Sequence, residues 1–188
     1  MNILGLDISS SSTGFGILDG EGRVVEFGQF RPSVKLDNPA KYAFMAFKIA
    51  ELSKQFEITD IVIESYFVNK VMGQSTFICA EARGAIKAAV SMFMPKATIH
   101  SEVSPSSLKK ELTGEGNASK YLMAKTVLDK LGIEYTDLIE IFENRKNKKT
   151  GEIKRVSAKA RFMVGENKFY DDCSDALSLA YCHYLRSK

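Results

Sequence analysis

Four carboxylates, Asp7, Glu64, Asp172 and Asp175, stand at the ends of predicted elements rather than on their solvent faces. Asp7 closes the apolar run NILGLDI, Glu64 closes DIVIE, and Asp172 and Asp175 open a helix predicted over 171–186. The i, i+3 spacing of the last two places them on one helix face, with Cβ atoms about 5–6 Å apart. If the first and fourth strands lie side by side and parallel, Asp7 and Glu64 leave the sheet at the same carboxyl edge, where open α/β sheets bind ligands. Carboxylates gathered in one cleft repel one another unless a cation lies between them. All-oxygen donors favour hard ions such as magnesium or manganese, and two such ions about 3.5–4 Å apart clamp the attacking water and the leaving oxygen of a phosphodiester. The chemistry indicated is phosphodiester hydrolysis without a protein nucleophile. Taken singly, each acid has a plainer reading as a turn residue, a solvated strand end or a dipole-favoured helix N-terminus. Asp171 can replace Asp172 as a ligand, because the pattern fixes the helix start only to within a residue.

The elements that must position these acids read as follows. Residues 2–8, 14–18 and 23–30 form three strands joined by tight turns, Asp19 to Gly22 being the strongest turn signal, and so an antiparallel meander. Tyr42, Met45, Ala46, Ile49 and Leu52 recur at helical spacing, which predicts a helix over 40–56. Residues 60–64 suit a buried parallel strand. A long Ala-rich helix follows over 74–93, in which Gly84 offers close approach to a neighbour, and then a fifth strand over 97–103. Pro105 opens a short helix that Gly114 stops, and Asn117 caps another over 118–131, ended by Gly132. The order is an α/β fold mixing antiparallel and parallel strands in one domain, 1–188.

The 188 residues are 45% apolar and 26% charged, the balance of an ordinary globular chain. No apolar stretch reaches the roughly 20 residues that cross a bilayer, so no membrane partner and a cytoplasmic location are expected. Cys79, Cys173 and Cys182 have no zinc-ligand spacing and read as reduced thiols. His100 and His183 read as structural or surface residues, since neither has a partner at catalytic spacing. Asp129 and Asp137 read as surface charges. The Ser9 to Ser12 run beside Asp7 lacks the glycines and lysine of a P-loop. The net charge of +3 is unevenly spread. Between Asn144 and Arg161 stand eight basic residues (Arg145, Lys146, Lys148, Lys149, Lys154, Arg155, Lys159 and Arg161) against Glu152 alone, a net of +7 that leaves −4 for the rest. Residues 137–168 are therefore expected to form a basic insertion before the last helix that can grip phosphates.

The joint pattern resembles the RuvC-type Holliday-junction resolvases of the ribonuclease H-like superfamily. GLDISSSSTGFGIL is similar to that family's first strand, metal-binding Asp and turn. IVIESYF is similar to its second acidic motif, EARGAIKAA to its long dimer-forming helix, SPSSLKKELTGEGNASK to its lysine-bearing segment, and DCSDALSLAYCH to its last acidic motif. The resemblance implies a ribonuclease H-like fold, with a five-stranded mixed sheet flanked by helices. It implies Asp7, Glu64, Asp172 and Asp175 as ligands of two Mg2+ ions, with Mn2+ able to substitute. Lys109 and Lys120 become charge-neutralising groups, Phe67, with Tyr66 as its rival, a base-stacking aromatic, and a homodimer the acting unit on four-way junction DNA. The insertion over 137–168 departs from the family pattern and puts a helicase partner in doubt.

The leading expectation is a crossover junction endodeoxyribonuclease that makes paired nicks in recombination and repair. A broader branched-DNA debranching nuclease, acting on forks, flaps and three-way junctions, shares the chemistry. An actin-like or sugar-kinase-like ATP-binding module also begins with an Asp and a Ser/Thr-rich turn, but needs a second phosphate loop that the sequence lacks. A junction binder without catalysis is disfavoured by the intact set of four acids.

Overall fold

A computed structural model describes residues 1–65, 74–101, 104–146 and 150–188. The meander is formed by β1 (Asn2–Ile8), β2 (Thr13–Leu18) and β3 (Val24–Phe30). The turn after β2 is closed by Asp19, whose Oδ1 accepts from the backbone N–H groups of Glu21 and Arg23, with Gly22 in the left-handed region at φ 80°. Helix α1 (Asn38–Gln55) is capped by the Asp37 side chain, which accepts from the Ala40 N–H at 3.0 Å. Strand β4 (Ile58–Ile63), helix α2 (Gln74–Phe93) and strand β5 (Thr98–Ser101) follow. The sheet order is β3-β2-β1-β4-β5, with β1, β4 and β5 parallel and the meander antiparallel. This is the expected five-stranded mixed sheet, in which β1 and β4 are neighbours.

Strand periodicity divides the chain into two apolar layers. Leu4, Leu6, Ile8, Phe15, Ile17, Ile61 and Ile63 pack under α1 and α2. Ile3, Leu18 and Val62 face the opposite layer, which holds α3 (Pro105–Thr113), α4 (Lys120–Lys130) and α5 (Asp171–Arg186). Pro105 and Gly114 bound α3 as read from the sequence: Pro105 occupies the first turn and Gly114, at φ 84°, donates its N–H to the Lys110 carbonyl, while Ser104 caps the helix. The α4 cap is not Asn117 but Ser119, whose hydroxyl accepts from the Leu122 N–H. Among the described residues a Cβ at Gly84 would meet nothing within 4 Å.

The basic insertion forms a second sheet. Strands β6 (Thr136–Lys146), β7 (Ile153–Val164) and β8 (Asn167–Tyr170) form an antiparallel three-stranded unit in the order β6-β7-β8. Its base is anchored by Ala160 and Phe162, both fully buried, with Phe162 in the layer shared with α4 and α5. Toward the tip the alternation weakens and both faces are exposed. Among the described residues no helix is long and apolar enough to cross a membrane.

Candidate active site

The face of β1 and β2 that receives α5 is floored by glycine. Register pairs Ile3 with Leu18, Gly5 with Gly16 and Asp7 with Gly14, so Gly5, Gly14 and Gly16 share a face with the Asp7 side chain. A Cβ at Gly5 would stand 2.0 Å from the Ala176 carbonyl oxygen, and one at Gly14 would stand 2.0 Å from that of Asp172. The helix backbone therefore rests directly on the strands, and its N-terminus lies beside Asp7. Asp60, Val62 and Glu64 alternate onto the same face, Glu64 coming immediately after the end of β4.

Three acidic segments distant in the sequence thus meet at one sheet edge. Burial raises the Asp7 carboxyl well above the usual carboxylate range, and Asp175, Glu64 and Asp172 add repulsion that Lys120 only partly offsets. Burial, then Asp175, likewise pushes Glu64 up against the opposing pull of Arg83 and Lys120. Asp171, also at the helix start, is buried; burial raises its pKa, and its Oδ1 has no hydrogen-bond partner. The Lys120 ammonium pairs with Asp175 and lies 3.4 Å from Asp171 Oδ2. Although burial works against its charge, Asp175, Asp171 and Asp7 together hold its pKa above the ordinary lysine range.

Two groups not singled out from the sequence complete the arrangement. Ser12 donates its hydroxyl to Asp172 Oδ2 at 2.8 Å, while Ser9 accepts from the Ser12 N–H and so fixes the turn from which Ser12 reaches. The buried Arg83 of α2 donates to the Glu64 carbonyl at 2.9 Å, lies 3.5 Å from its carboxylate and donates at 3.5 Å to the Ile8 carbonyl, tying together the ends of β1 and β4. A cation flanked by Ala82 and Ile86 in an otherwise Ala-rich helix was the available signal for Arg83. For Ser12 the signal was a polar turn directly after an acidic strand end.

Five carboxylates (Asp7, Glu64, Asp171, Asp172 and Asp175) face two cations (Lys120 and Arg83) in this cleft, and one buried carboxylate oxygen has no partner. That donor set fits hard divalent ions. Asp175 sits in the second turn of α5 rather than the first, yet it remains on the face of Asp172 and Asp171. Lys109 lies on α3, and among the described residues it forms no ion pair. Arg145, Lys146, Lys154 and Arg155 lie on the exposed end of the β6–β7 ribbon. Tyr66, Phe67, Lys148 and Lys149 lie outside the described residues.

Known proteins show the same arrangement of sequence and fold. A family model for the crossover junction endodeoxyribonuclease RuvC matches residues 3–139. The chain belongs to the RuvC family. The crossover junction endodeoxyribonuclease RuvC of Delftia acidovorans is 32% identical over 146 residues, 73% of this chain and 78% of its own length. That of Chloroherpeton thalassium is 26% identical over 190 residues, spanning 100% of this chain and 83% of its own. The structure of T. thermophilus RuvC in complex with Holliday junction substrate superposes with a TM-score of 0.70 at 18% identity, covering 100% of this chain and 94% of the other. The yeast mitochondrial Holliday junction resolvase Ydc2 superposes at 0.57 and 14% identity, over 98% and 78%. These two show the shared RuvC fold. The RuvC family match ends inside β6, where the basic ribbon begins.

Proposed function

We propose that this protein resolves Holliday junctions as a metal-dependent endodeoxyribonuclease, with Asp7, Glu64, Asp172 and Asp175 holding hard divalent ions. The observation that carries this reading is the convergence of acids from β1, from the end of β4 and from α5 onto one sheet edge, where burial and neighbouring carboxylates raise the Asp7 and Glu64 carboxyls. When bound, two Mg2+ ions, for which Mn2+ can substitute, would supply Lewis-acid activation of water and neutralise charge on the transferring phosphate. The chain's own residues orient the acids. Ser12 fixes the Asp172 carboxylate, Arg83 holds Glu64 at the strand end, and Lys120 contributes positive charge beside Asp175 for the pentavalent phosphorus. Inversion by water would leave a 3′-hydroxyl and a 5′-phosphate.

The basic ribbon supports a DNA-gripping role. Arg145 stands opposite Lys154 in the β6–β7 register, each exposed and paired with a nearby glutamate, Glu143 and Glu152. The Arg155 guanidinium lies 4.4 Å above the ring of Phe142, which is itself exposed. An arm of this kind extends the surface available to duplex DNA and favours activity on forks, flaps and three-way junctions as a second reading. The exposed Phe47 of α1 and Phe77 and Met92 of α2 support a homodimer through that layer, so that two sites face the two-fold axis of a junction.

The deciding experiment incubates a fixed four-way junction with protein and Mg2+, with a chelator arm and the Asp7→Asn variant. Paired nicks that require both the metal and Asp7 are expected. Cleavage at wild-type rate by Asp7→Asn rejects the site. Equal turnover on three-way and flapped substrates favours the broader reading.

A further inference from the structure

A second cluster of ligating groups lies on the same face of the sheet, away from the acids. Asp60 of β4, His100 of β5 and His183 of α5 place one ligand atom each within 4.8 Å of the others. Among the described residues this is the one group of three such side chains that close. Glu64 is four strand residues beyond Asp60, about 13 Å along β4. Asp175 is eight helix residues before His183, about 12 Å along α5. The two clusters are therefore separate, although the same strand and the same helix contribute to both.

The geometry is that of a partly built coordination site. The Nε2 atoms of both histidines face the same oxygen, Asp60 Oδ1, at 2.6 Å from His100 and 4.0 Å from His183. The other oxygen, Oδ2, is engaged by the Thr59 hydroxyl, which donates to it at 2.6 Å. That contact orients the carboxylate from outside, as groups behind metal ligands do. The imidazole centroids are 4.3 Å apart, with the planes tilted by 42°. Ligand atoms around a tetrahedral zinc-class ion stand about 3.3–3.5 Å from one another. Both histidine nitrogens need to move by only about 0.7 Å, in opposite senses, to reach that spacing.

We propose that Asp60, His100 and His183 bind a divalent transition ion of the zinc class, with the fourth position left to solvent. Two imidazoles and one carboxylate select such an ion over magnesium, whereas the all-carboxylate cleft has the opposite preference. The bound ion joins the edge strand β5 to β4 and to the C-terminal half of α5, whose N-terminal half carries Asp172 and Asp175. It thereby holds the helix in register on its glycine floor.

The test is a Co2+ titration of the metal-stripped full chain, followed by visible d–d absorption in 10 mM Mg2+, with thermal melting read alongside. One equivalent of tetrahedral Co2+ without a thiolate charge-transfer band is expected, together with a rise in melting temperature. His183→Gln and Asp60→Asn should each weaken binding at least tenfold, and Thr59→Val by about 10- to 100-fold. Asp7→Asn should bind as wild type. His100→Gln, on the half-exposed edge strand, is the variant expected to keep its fold, checked by circular dichroism, and it too should lose the absorption. The proposal is overturned by no absorption at 200 μM Co2+, by a thiolate band, by displacement with Mg2+, or by a signal lost in Asp7→Asn but retained in His100→Gln.

Discussion

Substitution of Gly14 by alanine tests how tightly the acidic helix must sit. A Cβ at this position would lie 2.0 Å from the Asp172 carbonyl oxygen, 2.4 Å from its carbonyl carbon and 3.0 Å from its Cβ. Ordinary contact begins near 3.4 Å, so the start of α5 or the end of β2 has to yield by about 1.4 Å. The neighbours are backbone rather than flexible side-chain ends, and Gly5 holds the same helix at Ala176 and Ala180, so the shift cannot be absorbed locally. Overpacking of this kind costs about 1–3 kcal/mol, which in a chain of this length lowers the melting temperature by about 2–12 °C. A displacement near 1 Å at a reacting centre costs about 10²-fold in rate. Single-turnover cleavage of a four-way junction in Mg2+ should therefore fall by about two orders of magnitude, while mobility-shift affinity in chelator changes less than threefold. Cleavage within twofold of wild type together with an unchanged melting temperature would refute the claim that glycine at this register places Asp172.

Removal of Arg83, as Arg83→Met, leaves the Glu64 carboxylate without its buried partner and should destabilise the chain by about 3–5 kcal/mol in a denaturant titration; a loss below 1 kcal/mol contradicts its role as the tie between β1 and β4. Asp7→Asn relieves repulsion in the metal-free cleft, so in chelator it should be more stable than wild type by about 0.5–2 kcal/mol. The wild type alone should then gain about 1.4 kcal/mol when Mg2+ is raised to ten times its dissociation constant, and equal Mg2+ shifts in the two proteins would remove Asp7 from the ligand set. The double substitution Arg145→Ala with Lys154→Ala should reduce the salt dependence of junction binding by nearly two phosphate contacts with little change in melting temperature, because the exposed ion pairs they make with Glu143 and Glu152 contribute little to stability. An unchanged salt slope would separate the ribbon from DNA.

What was legible in the sequence follows from how local each signal is. The strand pattern of 2–8 and 14–18 and the helix signals at Pro105 and Gly114 are short-range, and the structure follows them. Asp7 and Glu64 were found because each ends an apolar run, a place where solvation alone gives little reason for a carboxylate, and Asp172 and Asp175 because their i, i+3 spacing puts both on one face at a helix start. The strands of the ribbon were not legible because Ile139, Phe142 and Ile153 are exposed and the β6–β7 pairing slips between Ile141 and Phe142. That slip breaks the two-residue period on which recognition of a strand depends. His100 and His183 were read as lone residues for a related reason: 83 positions separate them, and only the packing of α5 across β4 and β5 brings both to Asp60. Arg83 and Ser12 act through backbone and carboxylate contacts that no spacing rule announces.

The distribution of charge divides the labour between two parts of the molecule. The cleft carries five carboxylates against Lys120 and Arg83, so without bound cations it repels the phosphate it would cut. The ribbon segment from Asn144 to Arg161 carries the opposite sign, +7, and can hold a duplex arm whatever the metal content of the cleft. On the proposed function, binding and cleavage would be set by different groups, and the apolar layer at the base of the ribbon would link them. The base of the ribbon, through Phe162, packs into the same apolar layer as Leu177 and Ala180 of α5. β8 runs directly into that helix at Asp171. A load applied to the ribbon by DNA therefore reaches the helix start, where Asp171, Asp172 and Asp175 stand. The glycine floor, which allows no slack between helix and strands, is what keeps those acids aligned under it.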